Sequence, residues 1–213
     1  MGNKPGRPKN QTARREALVD AAGRAIAERG LEGLRIKDIA AEAGMSAGSV
    51  LYYYPEMGEL VLEVHRGAVE RYLAARQKAA DGVDGATGAT GAAGAAARLR
   101  ALVGSGLPGG SGDAVHGLLF ELHRRADRSS GHATLMASLF AREVALYATV
   151  LEVGAAVGEF TLTEPVTDLA RNLVALEDGY GLHIVSRNAE LTPDVARRLL
   201  LGYARTVTGC PEL

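Results

Sequence analysis

Residues 35–60 read RIKDIAAEAGMSAGSVLYYYPEMGEL. Two short amphipathic segments flank Ala43-Gly44-Met45-Ser46, and Tyr52, Tyr53 and Tyr54 close the second one. Ile36, Ile39, Ala40 and Ala43 share one side of a helix spanning 35–43, which Gly44 breaks. Ser46 caps a third helix that runs to about Tyr54, where Pro55 disfavours further helical backbone. Two short helices joined by a tight, Gly-containing turn form a helix-turn-helix, whose second helix can enter the DNA major groove.

The residue types fit that task. Ser46 leaves helix N-terminal donors facing a phosphate, and Ala47, Gly48 and Ser49 are small enough for close approach to base edges. Tyr52 and Tyr53 can donate to phosphate oxygens, which positions a protein without reading sequence. Lys37 reaches the backbone from the start of the second helix, and Val50, Leu51 and Tyr54 are expected in a three-helix core.

Upstream, Leu18, Ala21, Ala22, Ala25 and Ile26 make the apolar face of a first helix, with Thr12 as its expected cap and Gly30 at its end. Residues 1–11 are polar, contain Gly and Pro, and read as a flexible arm. Lys4, Arg7, Lys9, Arg14 and Arg15 give residues 1–15 five positive charges and no acid. The whole chain of 213 residues carries a net charge of −1, so this local excess marks one contact with an anionic surface. Gly6-Arg7-Pro8-Lys9 resembles the core of an AT-hook, a device for narrow A·T-rich minor grooves. A charged tail with no groove contact is the alternative.

Residues 14–60 resemble the DNA-binding domain of the TetR/AcrR transcriptional regulators, in which a segment like IAxxAGVSxGxLYxYFxSKxxL joins the second, third and fourth helices. The matching residues are Ile39-Ala40, Ala43-Gly44-Met45-Ser46, Gly48 through Tyr54, and Leu60. Leu51 stands where the family has Tyr, Tyr54 where it has Phe, Met57 where it has a phosphate-binding Lys, and Arg35 where it has a capping Thr. Arg35 is expected to replace part of the contact that Met57 cannot make. The resemblance implies an all-α fold: an N-terminal three-helix DNA-binding domain, then a helical ligand-binding and dimerisation domain. It implies double-stranded DNA, a second copy of the chain and a small organic effector as partners. Its DNA-contacting positions are Arg7, Lys9, Arg14, Arg35, Lys37, Ser46, Ala47, Gly48, Ser49, Tyr52 and Tyr53.

The expected layout is an arm at 1–11, the DNA-binding domain at 12–57 and the helical body at 58–213, about nine helices in all. Residues 81–94, DGVDGATGATGAAG, read as a flexible connector, and GSGLPGGSGD at 104–113 as a second break. Helices are expected at about 58–80, 95–103, 113–128, 132–156, 165–187 and 193–208, the last with Thr192 as cap and Pro193 in its first turn. Phe120, His123, Met136, Phe140, Tyr147 and Glu177 are the candidate ligand pocket, although each alone suits ordinary core packing. Leu176, Tyr180, Ile184, Leu199 and Tyr203 are the candidate dimer interface. Ala175 to Gly181 resembles the dimer-forming segment of betaine-regulator-like members, with intramolecular packing as the alternative.

Other chemistry finds little support in the sequence. The histidines have no ligand spacing for zinc, so no metal or cofactor is expected. No nucleophile elbow, P-loop or dinucleotide-binding glycine pattern occurs, so the chain is not expected to be an enzyme. The single cysteine, Cys210, lacks basic neighbours, and one cysteine permits no disulfide within the chain. No secretory leader and no unbroken apolar run of about 20 residues is present, which points to a cytoplasmic protein without a membrane partner. The expected function is a repressor released from a near-palindromic operator by its effector. An effector-independent architectural or silencing DNA binder is the alternative.

Overall fold

The structure, a computed structural model, describes residues 7–81 and 94–213, and of residues 7–10 the backbone only. The described residues form nine α-helices and no strand. These are α1 (Arg7–Arg29), α2 (Ile36–Glu42), α3 (Ala47–Tyr53), α4 (Met57–Ala80), α5 (Ala95–Gly106), α6 (Ala114–His123), α7 (Ser130–Ala156), α8 (Val166–Val185) and α9 (Pro193–Thr208).

Three boundaries differ from the sequence expectation. Helix α1 begins at Arg7, inside the expected arm, so Thr12 lies within the helix and does not cap it. Pro8 permits this, because the N–H that proline lacks has no intrahelical partner in a first turn. Gly104, Ser105 and Gly106 belong to α5 instead of a break. Buried Leu102, Val103 and Leu107 hold that last turn against the core, offsetting the poor helix propensity of glycine. Helix α6 stops at His123, because the polar residues that follow have no apolar face and close into tighter i→i+3 turns. The connector at 82–93 and residues 1–6 of the arm lie outside the described residues.

The chain divides into two compact units. The first comprises residues up to Val69 together with Leu118–Ala133, and the second Glu70–Gly117 together with Thr134–Leu213. Helices α4, α6 and α7 contribute residues to both. In the first unit, Leu18, Ala22 and Ile26 of α1, Ile39 of α2, Val50 of α3 and Leu60, Val61 and Val64 of α4 are all buried. Arg24 pairs with Glu42 at 2.7 Å and Arg29 with Asp38 at 3.1 Å, tying α1 to α2. Both pairs are solvated, so they set orientation more than stability.

The second unit buries Leu99, Leu102 and Val103 of α5, Tyr147 and Leu151 of α7, Leu169, Leu173 and Val174 of α8, and Leu200, Ala204 and Val207 of α9. An 18-residue stretch of α7 has a mean hydropathy of 1.3, and α7 is the one described helix long and apolar enough to cross a membrane. Arg142 and Glu143 sit near its middle, and Glu143, Tyr147 and Leu151 pack inward within the unit.

Candidate nucleic-acid interface

Local chemistry fixes α2 and α3. Gly44 adopts φ +63°, a conformation side chains rarely tolerate, and this lets the Met45 N–H reach back to the Ala40 carbonyl at 2.8 Å. Ser46 has extended backbone and its Oγ accepts from the Ser49 N–H at 3.1 Å, so it caps α3 as expected. The Ser46 and Ser49 hydroxyls also bond each other at 2.8 Å. Arg35 occupies the cap position of α2 but has no acceptor to offer. Asp38 compensates from the third helical position, accepting from the Arg35 N–H at 3.0 Å.

Val50 and Tyr54, four residues apart, point into the core. Burial raises the Tyr54 phenol above its ordinary pKa, against the opposing pull of Arg15, whose guanidinium stacks 4.3 Å from the ring centroid. Leu51 corrects the sequence reading: it is 44% exposed. A helical residue next to an inward one is turned about 100° away, and inward Val50 therefore sends Leu51 out beside Ala47.

The outer surface of α3 is thus Ala47, Gly48, Leu51 and Tyr52, with Tyr52 73% exposed. Tyr53 is half-buried and meets the Tyr52 ring edge-on at 5.2 Å, which restrains it. A Cβ at Gly48 would meet only Ser46 Oγ, at 3.9 Å. Nothing inside the unit requires glycine there, so its use fits close approach of an external surface. Arg14, Arg35 and Lys37 are exposed and form no ion pair among the described residues. The start of α4 offers no cation, since Met57 is half-buried there and Glu59 lies in the first turn. The Arg7 and Lys9 side chains lie outside the described residues.

The candidate pocket residues divide. Phe120 and His123 belong to the first unit, where His123 lines an open groove of about 900 Å³ with Leu31, Glu121 and Arg124. Met136, Phe140, Tyr147 and Glu177 belong to the second, and Phe140 is 41% exposed. A groove of about 460 Å³ in the second unit is lined by Leu73, Gln77, Leu146, Thr149 and Val150, none of them a sequence candidate.

Tyr147 and Glu177 do come together, in a fully buried polar cluster. Tyr147 Oη donates to Glu177 Oε1 at 2.5 Å. Arg76 donates from Nη2 to Glu177 Oε2 at 2.8 Å and from Nη1 to Oε1 at 3.3 Å. Its Nε lies 3.6 Å from Glu143 Oε1. Tyr72 Oη accepts from Arg76 Nη1 at 3.3 Å. Burial raises the pKa of Glu177, Tyr72 and Tyr147, and pushes Glu143 up to about 8 against the attraction of Arg76. Glu177, with two guanidinium bonds and a phenol, is the carboxyl better paired with Arg76. Arg76, Glu143 and Tyr72 are not among the sequence candidates for the pocket, although Tyr72 falls on the apolar face of α4. The available signal was the spacing Tyr72, Arg76, Ala80, which puts Arg76 on the apolar stripe of α4.

Among the candidate interface residues, Ile184 is buried in its own unit, which corrects that expectation, while Leu176, Tyr180 and Tyr203 are half-buried against the same core. Leu199 is 38% exposed, and Leu182, which sequence reading missed, 51%.

A capped, small-residue helix presented after a Gly turn on a three-helix core defines a helix-turn-helix DNA-binding domain. Residues 18–64 match the family described as bacterial regulatory proteins of the tetR family. The HTH-type transcriptional repressor KstR2 of Mycolicibacterium smegmatis is 30% identical over 77 residues, which cover 36% of this chain and 38% of that one. The HTH-type transcriptional regulator PksA of Bacillus subtilis is 42% identical over 48 residues, 22% of this chain and 23% of that one. The chain thus spans well under half the length of both relatives. A candidate transcriptional regulator from Saccharomonospora viridis, in complex with choline, shares the fold at a TM-score of 0.80 and 24% identity, over 91% of this chain and 96% of that one. A candidate TetR-family regulator from a Rhodococcus species gives a TM-score of 0.69 at 26% identity, over 92% and 99%.

Proposed function

We propose that the protein is a DNA-binding transcriptional regulator, a repressor, that occupies a near-palindromic operator as a homodimer and leaves it when a small organic effector binds. The observation that carries this reading is the outer face of α3, where Ala47, Gly48, Leu51 and Tyr52 stand clear of the core. Small residues let the helix lie deep in the major groove, and Leu51 can meet a thymine methyl group. Tyr52, Arg14, Arg35 and Lys37 position the domain on phosphates, and Arg7 and Lys9 extend that contact.

Dimerisation is assigned to α8 and α9. Ala175, Gly179 and Leu182 form one outward row, and Val195, Leu199 and Gly202 another. Small residues between exposed leucines allow close packing against a second copy. The effector is assigned to the second unit, around Tyr147 and Glu177, and the choline held by the Saccharomonospora protein makes organic cations the first class to test. A ligand acts by favouring one spacing of the two α3 helices, because half-sites lie about 34 Å apart or a multiple of that. The protein is proposed to be cytoplasmic and to carry no catalytic function.

The test is fluorescence anisotropy with DNA from upstream of its own gene, against scrambled DNA, over a salt series. Tight binding to one near-palindromic fragment by two or more subunits, weakening steeply with salt, is the expected result. Equal, weak binding to both DNAs would overturn it.

A further inference from the structure

The first unit buries a pair of histidines that its DNA-facing surface does not use. His65 of α4 is fully buried, and His132, in the first turn of α7, is 3% exposed. Their rings stack with centroids 5.3 Å apart and planes at 24°. His132 Nδ1 meets Ser129 Oγ at 2.9 Å, while His132 Nε2 and both ring nitrogens of His65 have no hydrogen-bond partner among the described residues. The helices approach closely at the same place: a Cβ on Gly131 would stand 2.9 Å from Leu62 Cδ2, so glycine lets the start of α7 lie against α4. The pair joins the two stretches of chain that make this unit, since His65 belongs to the residues up to Val69 and His132 to Leu118–Ala133.

Such a contact suits neutral imidazoles. A protonated ring carries two N–H donors, and a buried charge without a paired acceptor is costly. The charged groups around the pair supply no acceptor. Glu63 and Arg66, which flank His65 on α4, pair with each other at 3.6 Å. Glu32, Glu59, Glu121, Asp127, His123, Arg124, Arg125 and Arg128 line the groove beside His132, where Asp127 pairs with Arg128 at 3.4 Å. None of them bonds either ring. The side chains whose charge reaches the rings are themselves basic: His132 and His123 act on His65, and Arg125 acts on His132.

We propose that His65 and His132 form a proton-sensitive seam: while both rings are neutral the segment Leu118–Ala133 stays docked on α4, and protonation of the pair releases it. Burial, reinforced by these neighbours, lowers His65 from its ordinary 6.5 to about 4, and burial likewise lowers His132. Docked rings therefore bind fewer protons than released ones between pH 4 and 6.5, so the seam is at full strength above 6.5 and weakens as pH falls through that window. At pH 5.5 His65 alone shifts the balance toward the released form about tenfold relative to pH 7.5. Helix α3 lies in the same unit, so release loosens the body that carries the helix-turn-helix. That acid thereby weakens operator binding rests on the regulator reading above; the seam itself is tested without DNA.

The experiment is amide hydrogen exchange by mass spectrometry on the full chain at pH 7.5, 6.5 and 5.5, corrected for the intrinsic pH dependence of exchange. Protection across residues 118–133 and the facing part of α4 is expected to fall about tenfold from pH 7.5 to 5.5, while α9, in the second unit, holds or gains protection. His65→Leu removes the titrating ring from α4 and is expected to flatten this fall to about twofold or less. If that variant does not fold, an imidazole NMR titration of wild type decides, with His65 expected to stay neutral at pH 5.5 in the docked form. Protection of 118–133 that is unchanged or rises with acid, an equal fall in His65→Leu, or a His65 ring that takes up its proton near pH 6.5 with the segment still protected each overturns the proposal. A pH-dependent seam in a protein that binds no DNA would sink the regulator reading alone.

Discussion

Replacing Glu143 with glutamine is expected to stabilise the protein at neutral pH and to remove part of its pH dependence. Glu143 is buried beside an arginine already paired with Glu177, and desolvation lifts its pKa from the ordinary 4.5 to about 8. The sign follows from proton counting. Between pH 4.5 and 8 the folded protein keeps a proton on Glu143 that the unfolded chain releases, so stability falls as pH rises through that window. From 4.5 to 7 is 2.5 pH units, and at about 1.36 kcal/mol per unit Glu143 lowers stability by about 3 kcal/mol over that range. Glutamine resembles the protonated carboxyl in shape and hydrogen bonding and does not titrate. Wild type and Glu143→Gln therefore have similar stability near pH 5, and the variant gains about 3 kcal/mol relative to wild type by pH 7 to 8. Urea unfolding followed by circular dichroism at pH 5, 6, 7 and 8 measures this difference directly. Parallel stability curves, or a wild type that gains on the variant as pH rises, would refute the assignment of a protonated Glu143.

Three further outcomes are expected. Tyr52→Phe keeps the ring against Tyr53 but loses the outward hydroxyl, and should weaken binding to operator and scrambled DNA alike, by about 1 kcal/mol, in the anisotropy assay. Gly106→Ala forces a Cβ to 1.9 Å from Arg76 Nη1 and should cost about 3 kcal/mol or more in urea unfolding, whereas Gly104→Ala, with nothing within 4 Å, should be neutral or gain up to about 1 kcal/mol. Leu182→Glu with Leu199→Glu places charge on exposed apolar positions of α8 and α9 and should leave a folded monomer by sedimentation velocity, with dimer persistence counting against that face.

The parts legible in the sequence are those set by neighbours along the chain. The Gly44 turn, the Ser46 cap, the Thr192 cap with Pro193 and the apolar face from Leu18 to Ile26 all depend on residues within about a turn or two of one another. The helix-turn-helix is built almost wholly of such features, and it was read to within one or two residues. The cluster around Arg76 is different. Its partner Glu177 lies 101 residues away, and Tyr147 lies 30 residues from Glu177. Helical periodicity says which face of α4 turns inward but not what meets it, so Tyr147 and Glu177 could be named as polar core candidates and not joined to Arg76.

Leu51 and Arg76 show how much further the same periodicity reaches when it is applied without regard to residue type. Leu51 is apolar and by hydropathy belongs in the core, although inward Val50 and Tyr54 turn it outward. Arg76 is charged and by hydropathy belongs at the surface, although it follows Tyr72 and precedes Ala80 at the spacing of one buried stripe. In both cases geometry outranks hydropathy: a helix of fixed pitch cannot turn one residue independently of its neighbours. An apolar residue forced outward on a recognition helix and a charged residue forced inward on a core helix both cost stability. Leu51 lies on the face assigned to DNA, where it loses its exposure on binding. Arg76 lies in the buried cluster with Tyr147 and Glu177, around which the effector is proposed to bind, and there Glu177 and the two rings receive its charge. The two residues that depart from the hydropathy pattern thus fall one at each of the two proposed binding surfaces, as expected if local rules are broken where a protein binds something else.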